Sequence, residues 1–182
     1  YFDTRGTRSG ARSAFVNLNK EGISILIGPG SSDEALEVAP LAQRTQTLML
    51  TPTASTPNLP RVGGEFVLRN TTSDIIEAVR MVEVCQEIGY REIAVIWQNN
   101  EYSTQWAAAF RDNFLKKNGI VPFQRHFSGN EENYDDLLKA IVEADPDAIL
   151  LAGYYQPSSK IISELQKLDN FYPVIGPGSF YN

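Results

Sequence analysis

Two groups of hydroxyl-bearing residues stand at the ends of short apolar runs. Ser31 and Ser32 follow Gly28, Pro29 and Gly30, and Thr51, Thr53 and Ser55 follow Leu48, Met49 and Leu50. Hydroxyls next to the free amides of a helix N-terminus can hold an anion such as a carboxylate. The same residue types also cap helices and shape turns with no ligand involved. Three further loops add a different chemistry: residues 98–102 contain Tyr102, Gly153 precedes Tyr154 and Tyr155, and residues 176–180 contain Gly178 and Phe180. Aromatic rings opposite hydroxyls suit a cleft that orients a small polar ligand carrying an apolar part. The competing reading for Tyr154 and Tyr155 is partial burial in a core.

Other chemistries do not assemble. Gly28 and Gly30 have the first spacing of a dinucleotide fingerprint, but Asp33 stands where its third glycine belongs. A phosphate-binding P-loop and a G-x-S-x-G elbow are absent. His126 and Cys85 are too few for a metal site; His126 reads as a partly exposed structural residue and Cys85 as a small buried one. No nucleophile–base pair can be put together. An enzyme is therefore the weaker hypothesis, and no cofactor is expected.

The elements that must position these loops read as a regular alternation. A helix is expected over residues 7–21, with Ala11, Ala14, Phe15 and Leu18 on one face. Ile25–Ile27 is a continuous apolar run, as in a parallel strand buried on both faces. A helix over residues 33–45 contains Pro40, which should kink it or weaken one hydrogen bond. Leu48–Leu50 is the next strand; Pro57, Pro60, Gly63 and Gly64 mark an irregular loop, and residues 65–69 a short strand. The polar run at residues 70–74 reads as a boundary. Beyond it comes a helix with Ile75, Val79, Val82, Cys85 or Gln86, and Ile88 on its apolar face, stopped by Gly89. Strands at 93–97, 120–127, 148–151 and 173–176 then alternate with helices at 103–118, 134–144 and 157–168. Strands alternating with amphipathic helices mean βαβ units. Two parallel sheets are predicted, one before the polar run and one after it, and ligands bind at the carboxyl edge of such sheets. Tyr1–Thr4 resemble the end of a strand.

Composition narrows the classes further. The 182 residues are 42% hydrophobic, with a net charge of −6 and a pI of about 4.8. That balance opposes nucleic-acid binding, which calls for a basic face. No apolar run approaches the ~20 residues of a membrane helix, and no signal peptide is visible. A single cysteine excludes an internal disulfide.

The segments IGPGSSDEALEVAP, LTPTASTPNL, WQNNEYSTQWA and ILLAGYYQPSSKII, followed by VIGPGS, resemble the leucine/isoleucine/valine-binding protein family, the type I periplasmic substrate-binding proteins of ABC transporters. The resemblance runs through nearly the whole chain. It implies an α/β fold of two Rossmann-like lobes with parallel sheets, incomplete at both ends: the family's first strand and helix would precede Tyr1, and a large portion would follow Asn182. Residues 1–70 would be part of lobe 1 and 71–182 most of lobe 2. A piece of this kind leaves sheet edges unpaired. The implied function is extracytoplasmic, periplasmic or extracellular, with a lipid anchor as one option. A small amino acid or organic acid would be bound in a cleft between lobes and passed to a membrane permease, with no nucleic-acid partner. A ligand-sensing receptor ectodomain of the same fold is the alternative, and a Rossmann-type enzyme a further one.

By resemblance, Ser32 and Ser55 hold a ligand carboxylate, with Ser31 beside them. Thr53 and Ala54 add backbone contacts, and Tyr102 and Tyr154, with Tyr155 adjacent, close over the ligand. Gly178 departs from the pattern, because amino-acid binders of the family commonly carry an acid there to pair the ligand ammonium. Together with the aromatics Tyr102, Tyr154, Tyr155, Phe180 and Tyr181, this leads to the expectation of a carboxylic acid or amide that need not carry an α-ammonium.

Overall fold

The computed structural model of the chain describes residues 1–168 and 170–180; Tyr181 lies outside them. The chain divides into two compact units, the first ending at Asp74 and the second beginning at Ile75. Among the described residues, no helix is long and apolar enough to cross a membrane.

In the first unit, α1 (Arg8–Lys20), β1 (Ile25–Ile27), α2 (Ser32–Thr45), β2 (Leu48–Thr51), α3 (Leu59–Gly63) and β3 (Val67–Arg69) follow in order. The strands form one parallel sheet, β1-β2-β3. Thr7 caps α1 by accepting from the Gly10 amide at 3.0 Å. Helix α2 runs through Pro40, which lies on its exposed side, so the missing N–H removes one bond without ending the helix. One face of the sheet packs Leu26, Met49 and Val67 against Phe15, Ala35, Val38, Ala39 and Ala42.

Four expectations need correction here. The other face of this sheet is open: Ile25 is 65% exposed, Ile27 80% and Leu68 50%. The apolar run of β1 is thus buried on one side only, since alternate residues point to opposite faces and α1 and α2 cover just one. The expected irregular loop at 57–64 contains α3, where Pro60 occupies the first turn, a position at which a missing N–H costs nothing, and Leu59 is buried. The strand expected from Glu65 begins only at Val67, after a 3₁₀ turn at Gly64–Phe66. Tyr1–Thr4 form no strand; the chain turns at Arg5 and Gly6, both with positive φ.

The second unit contains α4 (Asp74–Ile88), β4 (Ile93–Gln98), α5 (Glu101–Lys116), β5 (Gln124–Phe127), α6 (Asp135–Ala144), β6 (Ala148–Ala152), α7 (Tyr155–Leu165) and β7 (Val174–Ile175). Its parallel sheet has the order β5-β4-β6-β7. The predicted separation into two parallel sheets is therefore found. In this unit the central strands are buried on both sides. Ile93, Val95, Ala148 and Leu150 join a core with Trp106, Phe110 and Phe114, whereas Ala94, Ile96, Ile149 and Leu151 join one with Leu138, Ile141 and Ile161. Continuous apolar runs in β4 and β6 are what such double burial requires.

Two elements differ from expectation. The buried stripe of α4 is Ala78, Val82 and Cys85, which join the core of Trp106, Phe110 and Phe114, while Ile75 and Ile88 are 44% and 61% exposed. The strand expected over 120–127 is paired only from Gln124, because Pro122 has no N–H to give a ladder; Ile120 makes an isolated bridge with Glu92.

Candidate ligand-binding site

In the first unit, the loops after β1 and β2 brace each other at the carboxyl edge. Gly28 has φ +114°, a conformation that favours glycine. The Thr51 hydroxyl donates to the Pro29 carbonyl at 2.6 Å, and the Thr53 hydroxyl to the Gly30 carbonyl at 2.7 Å. A Cβ at Gly30 would meet Thr53 Oγ1 at 3.1 Å, so close approach of the two loops depends on glycine there.

Several candidate residues serve the fold of these loops. Ser31 caps α2: its Oγ accepts from the Glu34 amide at 3.4 Å and donates to Glu34 Oε2 at 2.7 Å. This Ser31–Glu34 pair puts a carboxylate at the helix N-terminus that the sequence reading left open for an anion. Ser32 is buried, and its Oγ accepts from the Thr56 amide at 3.3 Å. The Ala54 amide donates to Thr51 Oγ1 at 3.3 Å. Ser55 is half-buried, and its carbonyl accepts from the Asp74 amide and from Arg69 Nη1, each at 3.1 Å. Thr53 is exposed.

In the second unit, three loops meet at the carboxyl edge of the four-stranded sheet. Asn100 caps α5, accepting from the Ser103 amide at 2.8 Å. Tyr102 therefore stands in the first helical turn rather than in a loop, and is buried. Tyr154 is the N-cap of α7 and donates its amide to Gln98 Oε1 at 3.0 Å. The rings of Tyr102 and Tyr154 stack. Tyr155, the first residue of α7, is 56% exposed. After β7 a 3₁₀ turn, Gly178–Phe180, is tied back by Ser179, whose hydroxyl donates to the Gly153 carbonyl at 2.9 Å.

Sequence reading missed one residue of this cluster. Glu77, in the first turn of α4, accepts from the Gly178 amide at 2.8 Å through Oε1 and from Trp106 Nε1 at 2.9 Å through Oε2. The position that lacks an acid of its own thus has a carboxylate against its backbone. No local sequence signal places Glu77 there, because α4, α5 and the Gly178 turn meet only in the folded unit.

The model of the family described as "Receptor family ligand binding region" matches residues 1–170. The chain is 23% identical over 163 residues to a Leu/Ile/Val-binding protein of Citrobacter freundii, which covers 89% of this chain and 44% of that protein. Among solved structures, a leucine-binding protein from Thermotoga maritima superposes with a TM-score of 0.92 at 23% identity, covering 98% of this chain and 51% of that one. An ABC-transporter solute-binding protein from R. palustris, solved with 4-hydroxybenzoate, gives 0.86 at 16% identity, covering 96% and 49%. The chain spans about half the length of the curated relatives it matches. It belongs to the receptor family ligand binding region and carries the type I periplasmic binding protein fold.

Proposed function

We propose that this chain is part of an extracytoplasmic solute-binding protein that takes up a small carboxylate-bearing solute, an amino acid or an organic acid, and presents it to a membrane permease of an ABC transporter in the periplasm. The observation that carries the reading is the pairing of chemistries on the two carboxyl edges: braced hydroxyl loops at Ser31–Ser32 and 53–55 in one unit, and a stacked tyrosine pair beside a glycine turn in the other. The relatives named above, for Leu/Ile/Val and for 4-hydroxybenzoate, support a solute with a carboxylate and an apolar body.

In this reading Ser55 and the loop amides around Ser32 and Thr53 donate to the carboxylate, and Tyr154 and Tyr155 line the apolar body. No step of the reading breaks a bond in the solute.

A thermal-shift screen of the full-length protein tests this. A bound solute stabilises by about 2.7 kcal/mol at a hundredfold excess over Kd, so leucine, isoleucine, valine or 4-hydroxybenzoate should raise Tm at millimolar concentration. Absence of a shift with all four, and with a wider set of small carboxylates, would reject the reading.

A further inference from the structure

We propose that Gln98 and Ser179 are positioning residues of the second unit's aromatic wall: they clamp the peptide between Gly153 and Tyr154 from its two sides and so set where the Tyr154 ring stands. Both act through Tyr154 rather than on the solute. The consequence for affinity rests on the solute-binding reading above; the ring geometry does not.

Chain order puts Gln98 where this role needs it. It is the last residue of β4, the strand between β5 and β6, and is in register with Phe127. Successive strand residues alternate between faces, so Gln98 follows Ala94 and Ile96 on the face that packs with Ile161 of α7. Where that apolar column ends, a polar side chain meets the start of α7. A helix leaves its first amides without partners of its own. Tyr154, the N-cap of α7, makes no side-chain capping bond, and its amide donates to Gln98 Oε1 at 3.0 Å. A backbone N–H can only donate, which fixes the end of the glutamine amide that faces it. The other end, Nε2, then lies against Gly129, where a Cβ would come within 2.7 Å of it. One side chain thus reaches the loops that follow β5 and β6.

The far side of the same peptide is held from the turn after β7. The Gly153 carbonyl accepts from the Ser179 hydroxyl at 2.9 Å. A peptide unit is planar, so one bond at its carbonyl and one at its N–H fix the plane. Gly153, without a Cβ, restrains that plane least through its own backbone. Space requires glycine there: a Cβ would meet Ser158 Oγ at 2.6 Å and Phe127 Cζ at 3.3 Å. Packing therefore demands a residue that leaves the next peptide loose, and two side chains from separate elements remove that freedom.

The direction in which the Tyr154 side chain leaves the backbone follows from that plane. Its ring stacks on Tyr102 of α5. Tyr102 is buried and its place is set by the core, whereas Tyr154 is partly exposed. A stacked pair is a weak restraint by itself, so the clamp decides whether the outer ring stays on the inner one. A ring already held in place loses less freedom when a solute meets it, which is how positioning becomes affinity.

The experiment is fluorine NMR on the full-length protein with 3-fluorotyrosine in place of Tyr154 alone. Gln98→Met, Gln98→Glu and Ser179→Ala are compared with the unsubstituted protein, urea midpoints report the fold, and the urea-unfolded chain supplies the resonance of a ring free of Tyr102. Gln98→Met is similar in length but lacks the carbonyl, and with Ser179→Ala it should move the resonance towards the free position. Gln98→Glu still accepts from the Tyr154 amide, at a helix N-terminus that favours its charge, and should keep the original position. Calorimetry with L-leucine and 4-hydroxybenzoate should show Gln98→Met and Ser179→Ala weakening whichever probe binds by about three- to tenfold, the size of one hydrogen bond's net contribution. An unmoved resonance in either of these two variants overturns the proposal, so Ser179→Ala decides it if Gln98→Met does not fold. A Gln98→Glu resonance displaced as far as that of Gln98→Met overturns it as well, as does a displaced ring with unchanged affinity for every probe that binds. If neither probe binds the unsubstituted protein, the solute reading fails for them, and the clamp stands or falls on the resonance alone.

Discussion

Tyr102 and Tyr154 stack with ring centroids 5.7 Å apart and planes inclined by 17°. One ring belongs to the first turn of α5 and the other to the N-cap of α7. Tyr102 is buried while Tyr154 is 36% exposed, so the pair has an inner, supporting ring and an outer one that can meet a solute. Tyr102→Ala should lower stability by several kcal/mol, on the order of 3–5 for a buried aromatic, and should weaken binding through loss of support. Tyr154→Ala should cost only about 1 kcal/mol of stability and mainly affect affinity. Urea unfolding and calorimetry on both variants check this; equal stability losses would contradict the division of roles.

The two serines separate in a similar way. Ser32 is buried and its oxygen accepts from the Thr56 amide. Ser32→Ala should therefore reduce stability by about 1–3 kcal/mol by leaving that amide unmet, in addition to any loss of affinity. The bonds of Ser55 to Asp74 and Arg69 run through its carbonyl and survive truncation. Ser55→Ala should leave the urea midpoint nearly unchanged and weaken a charged solute by about 1.5–3 kcal/mol. Unchanged affinity in both variants would remove the hydroxyls from the site.

The two faces of the first sheet should respond oppositely to substitution in the 182-residue chain. Met49 is fully buried among α1 and α2, whereas Ile27 on β1 is 80% exposed. Met49→Ala should cost about 2–5 kcal/mol. Ile27→Thr should stay within about 0.5 kcal/mol, because it uncovers nothing. Denaturation of the two variants side by side provides the check, and a large loss at Ile27 would mean that this face is covered in solution.

Cys85 supplies a prediction with a sign in pH. It is 1% exposed on α4, and burial pushes its thiol from 9.0 up to about 11. The folded chain therefore holds the proton over a range where the unfolded chain gives it up. The stabilisation is fully present below pH about 9 and is lost as the pH rises towards about 11. Urea midpoints should fall more steeply across that window in wild type than in Cys85→Ala. Native protein at pH 8 should also resist a thiol reagent until unfolded; rapid labelling of the native form would show the thiol to be accessible.

Much of this protein was legible in residue order alone. Runs such as Ile93–Ile96 and Ala148–Leu151, set between amphipathic helices, determine strands buried on both faces in parallel βαβ units, and the polar stretch after Arg69 separates two such sets. Serine, threonine and tyrosine at strand ends marked the loops, because local chemistry decides where strands stop and helices begin. Tertiary structure decided what each loop residue is free to do. Ile25 and Ile27 carry the same apolar signal as Ile93 and Val95, yet face outward, because burial depends on whether helices lie over a face and not on the strand's own residues. Ser31, a candidate ligand donor in sequence, gives its hydroxyl proton to Glu34, and Ser32 accepts from the amide of Thr56, a partner 24 positions away. Glu77 carried no signal at all: it becomes part of the cluster only because the packing of α4 against α5 brings its carboxylate to the indole of Trp106 and the amide of Gly178, contacts that no spacing within one element can encode.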